Sequence, residues 1–63
     1  MPIVNVELWE GRGPEIKKTL GQNITNAVSE SIGCPKEHVI VIIKDSPKHN
    51  WTIGGKFAPD MKV

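Results

Sequence analysis

Five β-branched residues stand in succession at Val39-Ile40-Val41-Ile42-Ile43, with no polar residue between them. An unbroken run of this kind reads as a strand covered on both faces, whereas a half-covered strand alternates apolar and polar positions. Only one helix pattern precedes it, and one helix covers one face of a sheet. The second cover has to come from outside the chain.

The preceding segments support that reading. From Ile3 to Trp9, Val4, Val6 and Leu8 alternate with Asn5 and Glu7, the period of a strand. Glu10-Gly11-Arg12-Gly13 is a turn. Gly13-Pro14 opens a helix, with Pro14 suited to the first helical position and Glu15 favourable near the positive end of the dipole. Ile16, Leu20, Ile24, Ala27, Val28 and Ile32 fall on one helical stripe, and Lys17, Lys18, Gln22, Asn26 and Glu30 lie largely off it. Gly21 inside the helix costs roughly 1 kcal/mol against Ala, and the sequence offers no reason for it. Gly33 ends the helix and Pro35 blocks its continuation. After the β-branched run and Lys44-Asp45, Ser46 to Asn50 is a polar loop containing Pro47. Gly54-Gly55, within Trp51 to Phe57, marks a short terminal hairpin; Ala58 to Val63 carry little information.

Strand, helix and strand in this order imply a right-handed crossover and a parallel pair. The expected fold class is α/β: a single βαβ unit with a short C-terminal hairpin, one domain over residues 1–63, its sheet completed by oligomerisation because two strands alone make a poor sheet.

Size leads to the same expectation. The chain has 63 residues, and one of about 60 buries only about 60% of the surface its unfolded form exposes. Small scaffolds need disulfides, a metal or oligomerisation. Cys34 is the single cysteine, so no intrachain disulfide forms, and His38 and His49 make no recognisable metal cluster with it. Oligomerisation remains. The net charge of +1 is too balanced to suggest nucleic acid or a membrane surface as partner. No apolar run approaches the roughly 20 residues of a membrane span. No basic region followed by an apolar stretch marks a secretory signal, and the expected location is the cytoplasm.

Nucleophile and nucleotide signatures are missing: no G-x-S-x-G, no P-loop and no dinucleotide fingerprint. Cys34 has no obvious base beside it and its place at the helix end suggests packing. His38 and His49 read as loop polar groups. Pro2 is different. A small second residue allows the initiator Met1 to be removed, which leaves a secondary amine at the start of a strand. A free α-amino group titrates near 8, so roughly a tenth is uncharged at pH 7. An apolar pocket or a nearby cation would enlarge that fraction, and a base poised near the operating pH suits proton transfer. The plainer reading is that Pro2 merely begins a strand.

Taken together, Met1-Pro2-Ile3-Val4, Glu10-Gly11-Arg12, the β-branched run and Thr52-Ile53-Gly54-Gly55 resemble the 4-oxalocrotonate tautomerase family, without gaps from Pro2 to about Gly55. The resemblance implies a βαβ subunit assembled into a homo-hexamer, a trimer of dimers, that acts on a small-molecule carboxylate without metal or organic cofactor. It implies an amino-terminal proline as general base, here Pro2. It makes Arg12 the arginine that binds a substrate carboxylate, often from a neighbouring subunit, a role the bidentate guanidinium fork suits; otherwise Arg12 is a solvated turn residue. It makes Trp51 an aromatic wall of the pocket, with hairpin or interface packing as the alternative. Trp9 matches a usually smaller pocket residue and narrows the pocket or is buried between subunits. A second family arginine is replaced by Ile40, a pocket position, and Arg12 is the only arginine. Loss of one preorganised charged donor of this kind costs about 2.7–4 kcal/mol of barrier. Lys36, Lys44 or Lys48 could supply charge from elsewhere, without the fork, and each reads first as solvated surface.

The activity so implied is a tautomerase moving a proton in small enolisable 2-oxo acids, 2-hydroxymuconate-like or arylenolpyruvate. A second reading keeps the fold and changes the reaction to dehalogenation or decarboxylation. Those need a carboxylate to activate water, and Thr52 and its neighbours supply none. A third is a non-enzymatic oligomeric interaction protein.

Overall fold

The alternating segment forms strand β1 (Ile3–Trp9), and the stripe that follows forms helix α1 (Pro14–Ile32) with Pro14 in its first turn. Gly33 caps α1 in the left-handed conformation at φ 73°, its N–H donating to Ser29 O at 2.9 Å. A residue bearing Cβ is strained there, so the glycine is the stop signal. Strand β2 (Ile40–Ser46) returns parallel to β1, with Ile3 opposite Ile40 and Trp9 opposite Ser46. A two-stranded antiparallel hairpin, β3 (Thr52–Ile53) and β4 (Lys56–Phe57), turns on Gly54 and Gly55, both at positive φ. This is the α/β arrangement expected: a βαβ unit and a short C-terminal hairpin. The computed structural model describes residues 1–61, so positions 62 and 63 of the domain expected over 1–63 lie outside the described residues.

Three details differ from the sequence reading. Val39 stands before β2, because its N–H is committed to Lys36 O at 3.0 Å in a 3₁₀ turn over Lys36–His38. The expected polar loop after β2 is shorter and more ordered. Ser46 belongs to the strand, and Lys48–Asn50 form a second 3₁₀ turn closed by Asn50 N–H to Pro47 O and Trp51 N–H to Lys48 O, each 3.0 Å. The helix also sits rotated from its apolar stripe. Leu20, Ile24 and Val28 are partly covered, as are Lys17, Gly21, Thr25 and Ser29. Ile16 at 57% and Ile32 at 63% exposure remain open, and Ala27 with them. Lys17 turns inward because its ammonium pairs with the Asp45 carboxylate on β2.

A single copy has almost no core. Ala58 is the only fully covered apolar residue among the described residues. The Cα radius of gyration is 14.5 Å, against roughly 11 Å for a compact domain of this length. Along β2, Val41 and Ile43 are partly covered, while Ile40 at 38% and Ile42 at 41% exposure open to solvent on the alternate positions. The β-branched run thus has one cover per copy, and α1 supplies it. Among the described residues no helix is long and apolar enough to cross a membrane.

Gly21 now has a testable meaning. A Cβ built there meets nothing within 4 Å among the described residues. Gly21→Ala should therefore stabilise each chain by roughly 0.8–1 kcal/mol through helix propensity alone. Reversible denaturant unfolding of the assembled protein checks this, and a lower midpoint would mean that another copy packs against the bare backbone.

Candidate active site

The residues picked out from the sequence separate into two groups at opposite ends of the β1–β2 pair. At one end, Pro2 is half-buried and its carbonyl accepts the Ile40 N–H at 3.0 Å, so Pro2 and Ile40 are neighbours. Met1 is 84% exposed and projects from the subunit. Neighbouring Ile3 and Ile42 are exposed, so the surface beside Pro2 is hydrocarbon.

The second group lies on the order of 20 Å away, the length of a seven-residue strand. Trp9 ends β1 opposite Ser46, the last residue of β2. Glu10 N–H donates to Ser46 O at 3.0 Å, and Gly11, at φ 122°, swings the chain outward. The exposed Arg12 then folds back, its guanidinium donating to Trp9 O at 3.2 Å. Trp51 meets Trp9 edge to face, ring centroids 6.0 Å apart and planes at 80°, the geometry favoured by the ring quadrupoles. The indole N–H of Trp51 donates to Ser46 Oγ at 2.8 Å. The indole N–H of Trp9 is buried and has no acceptor among the described residues. Trp9, Glu10, Gly11, Arg12 and Lys48 line a recess of about 420 Å³.

One subunit therefore brings Arg12, Trp9 and Trp51 together but leaves Pro2 and Ile40 at the far end. Within one chain the amine and the guanidinium cannot touch one small molecule.

Lys48 departs from its reading as solvated surface. It is half-buried, and its ammonium lies 4.7 Å from the Trp9 ring centroid. No local spacing pairs Lys48 with Trp9; the two meet only once β1 and β2 are aligned, with Trp9 opposite Ser46. Lys36 and Lys44 are exposed, and neither lines the recess. Cys34 is half-buried and free, its carbonyl accepting from Ser29 Oγ at 2.6 Å, while His38 and His49 are exposed.

Comparison with known proteins supplies the chemical class. The family model described as Tautomerase enzyme matches residues 2–61. A probable tautomerase of Bacillus cereus is 43% identical over 60 residues, 95% of this chain and 98% of its own. The 2-hydroxymuconate tautomerase of Comamonas testosteroni is 39% identical over 61 residues, 97% of each chain. Among solved structures, a 4-oxalocrotonate tautomerase isozyme from Methylibium petroleiphilum superposes at a TM-score of 0.87 with 45% identity, covering 92% of this chain and 94% of that one. A chain of the heterohexameric 4-oxalocrotonate tautomerase of Chloroflexus aurantiacus superposes at 0.91 with 27% identity, covering 98% and 100%.

Proposed function

Because the chain belongs to the tautomerase family and is a tautomerase, we propose that it moves a proton within small enolisable 2-oxo acids, using the freed amine of Pro2 as general base. The neutral amine takes the proton from the enol hydroxyl. As the carbon–oxygen double bond forms and the carbon–carbon double bond is lost, the proton is returned to carbon. The amine ends as it began, and no cofactor enters the balance. Arg12 binds the substrate carboxylate through its fork. Trp51 and Trp9 wall the pocket and keep water from the amine, and Ile40 adds hydrocarbon beside Pro2. An apolar surround disfavours the charged ammonium and so enlarges the reactive fraction.

The observation that carries this reading is the setting of Pro2. Its carbonyl is tied to β2 through Ile40, while Met1 stands clear. Loss of Met1 removes little packing and leaves a secondary amine held by the sheet. The separation of Pro2 from Arg12 adds that each site takes its amine from one copy and its guanidinium from another. We infer a homo-hexamer built as a trimer of dimers, in the cytoplasm, with the exposed isoleucines of β1 and β2 covered between copies. The heterohexameric relative supports six-chain assembly. The non-enzymatic reading falls with membership of this family.

Mass spectrometry of the purified protein together with rates on phenylenolpyruvate and 2-hydroxymuconate tests the proposal. The expected result is a mass lacking Met1 and turnover of at least one substrate. Full turnover by protein that retains Met1 would overturn Pro2 as the base.

A further inference from the structure

The sheet face turned away from α1 ends in a cross-strand pair, Trp9 and Ser46. Side chains alternate along a strand. Trp9 therefore shares its face with Ile3, Asn5 and Glu7 of β1, and Ser46 shares it with Ile40, Ile42 and Lys44 of β2. Those neighbours are all exposed, whereas Trp9 and Ser46 are half-buried. Trp51 lies across the pair, its indole N–H donating to Ser46 Oγ at 2.8 Å and its ring meeting Trp9 edge to face. We propose that Ser46 is a positioning residue whose hydroxyl fixes the rotation of the Trp51 indole and so sets the aromatic wall against which the substrate binds. The proposal rests on the reading of Trp9 and Trp51 as that wall.

The backbone of Trp51 is already held on both sides. Its N–H donates to Lys48 O at 3.0 Å, and its carbonyl accepts the Ala58 N–H at 3.1 Å. What remains is rotation about the side-chain torsions. The contact with Trp9 does not settle that rotation alone, because aromatic pairs accept a range of offsets and centroid distances of about 4.5–7 Å. The hydrogen bond is directional and adds a second point of contact. Two points orient a planar ring where one does not.

Strand pairing places Ser46 for this task. Its carbonyl accepts the Glu10 N–H at 3.0 Å, where the chain leaves β1 for Arg12, and the Arg12 guanidinium donates to Trp9 O. One residue thus fixes the wall through its side chain and the start of the arginine loop through its backbone. A substitution at position 46 that removes the hydroxyl keeps the backbone bond and releases only the indole. Without Ser46 Oγ the indole N–H finds an acceptor by turning toward water, and the wall opens.

The test compares Ser46→Ala with Ser46→Thr, which keeps the hydroxyl, in the assembled protein. Ser46→Ala should raise KM for phenylenolpyruvate about fivefold, the size of one neutral hydrogen bond, with kcat within about twofold because Pro2 and Arg12 are untouched. A folding fault alone would lower the active fraction, and so kcat, at unchanged KM. Ser46→Thr should recover most of the wild-type KM. In a Trp51→Phe background, which has no indole N–H, adding Ser46→Ala should change KM by less than about twofold. The chain has two tryptophans, so the indole N–H resonance that Trp51→Phe removes from the NMR spectrum identifies Trp51. In Ser46→Ala that resonance should move upfield and exchange faster with solvent. If Ser46→Ala does not assemble, Ser46→Val against Ser46→Thr makes the same comparison at nearly constant shape.

A wild-type KM in Ser46→Ala, equal losses in Ser46→Ala and Ser46→Thr, or a full further loss on Trp51→Phe would overturn the role of Ser46 and leave the tautomerase reading standing. A moved indole resonance in a protein whose wild type turns over no enol would instead remove the tautomerase reading, and the substrate wall with it.

Discussion

Tautomerase turnover is expected to collapse when the nitrogen of Pro2 is capped, whether by retained Met1 or by an N-terminal extension. A capped proline nitrogen is an amide, whose lone pair is delocalised into the carbonyl, so it cannot accept a proton near neutral pH. General-base catalysis of this kind contributes about 10²- to 10⁴-fold to the rate, and kcat should fall by that factor. Pro2→Ala, processed to a free primary amine, should keep part of the rate, because a base remains but the ring no longer fixes its direction. Steady-state kcat on phenylenolpyruvate, with the terminus of each preparation established by mass, reads the effect. Met1 is 84% exposed in the single chain, so capping disturbs little packing within the subunit. A capped protein with wild-type kcat would remove Pro2 from the mechanism.

Higher activity than either parent is expected when two impaired variants are mixed. Pro2→Ala should be impaired as above. Arg12→Ala should lower kcat/KM by about 10²-fold, the effect of losing one charged donor in a desolvated site. If each site draws Pro2 from one copy and Arg12 from another, a co-assembled mixture contains some sites with both groups intact, roughly a quarter on random assembly of equal amounts. Co-expression with different tags, purification of the mixed oligomer and a kcat/KM measurement check this. A mixture no better than its parents would place both groups in one chain. The structure argues against that outcome, since Pro2 lies beside Ile40 at the start of β1 while Arg12 bonds to Trp9 at its end. The Arg12–Trp9 bond also gives Arg12→Ala a structural cost, and Arg12→Lys separates it from the loss of charge. The lysine keeps the cation but not the fork, and should recover binding only in part.

The boundaries of β1 and α1 were legible because each depends on neighbours in the chain. Alternation over Ile3–Trp9, Pro14 at the helix start and Gly33 at its end are local signals, and local sterics enforce them. The hairpin was legible for the same reason, through Gly54 and Gly55 at positive φ. Two 3₁₀ turns were missed, since such turns follow from one or two hydrogen bonds rather than from a period. The helix was misjudged in rotation rather than in length. Its apolar stripe includes residues that await another copy, and the Lys17–Asp45 pair helps decide which face meets the sheet.

What the residues alone decided was the order of the elements, the need for a second cover over Val39–Ile43 and the candidacy of Pro2 and Arg12. Each follows from spacing, apolar count or chemical type, properties a chain has before it folds. Only the folded chain decided that Pro2 and Arg12 stand a strand's length apart, and that Lys48, one of three equivalent lysines in the sequence, joins Arg12 in one recess. Distance between side chains is set by strand direction, and the company a charge keeps is set by which surfaces turn inward. Neither quantity exists until the strands are paired and Trp51 has come to rest on Trp9.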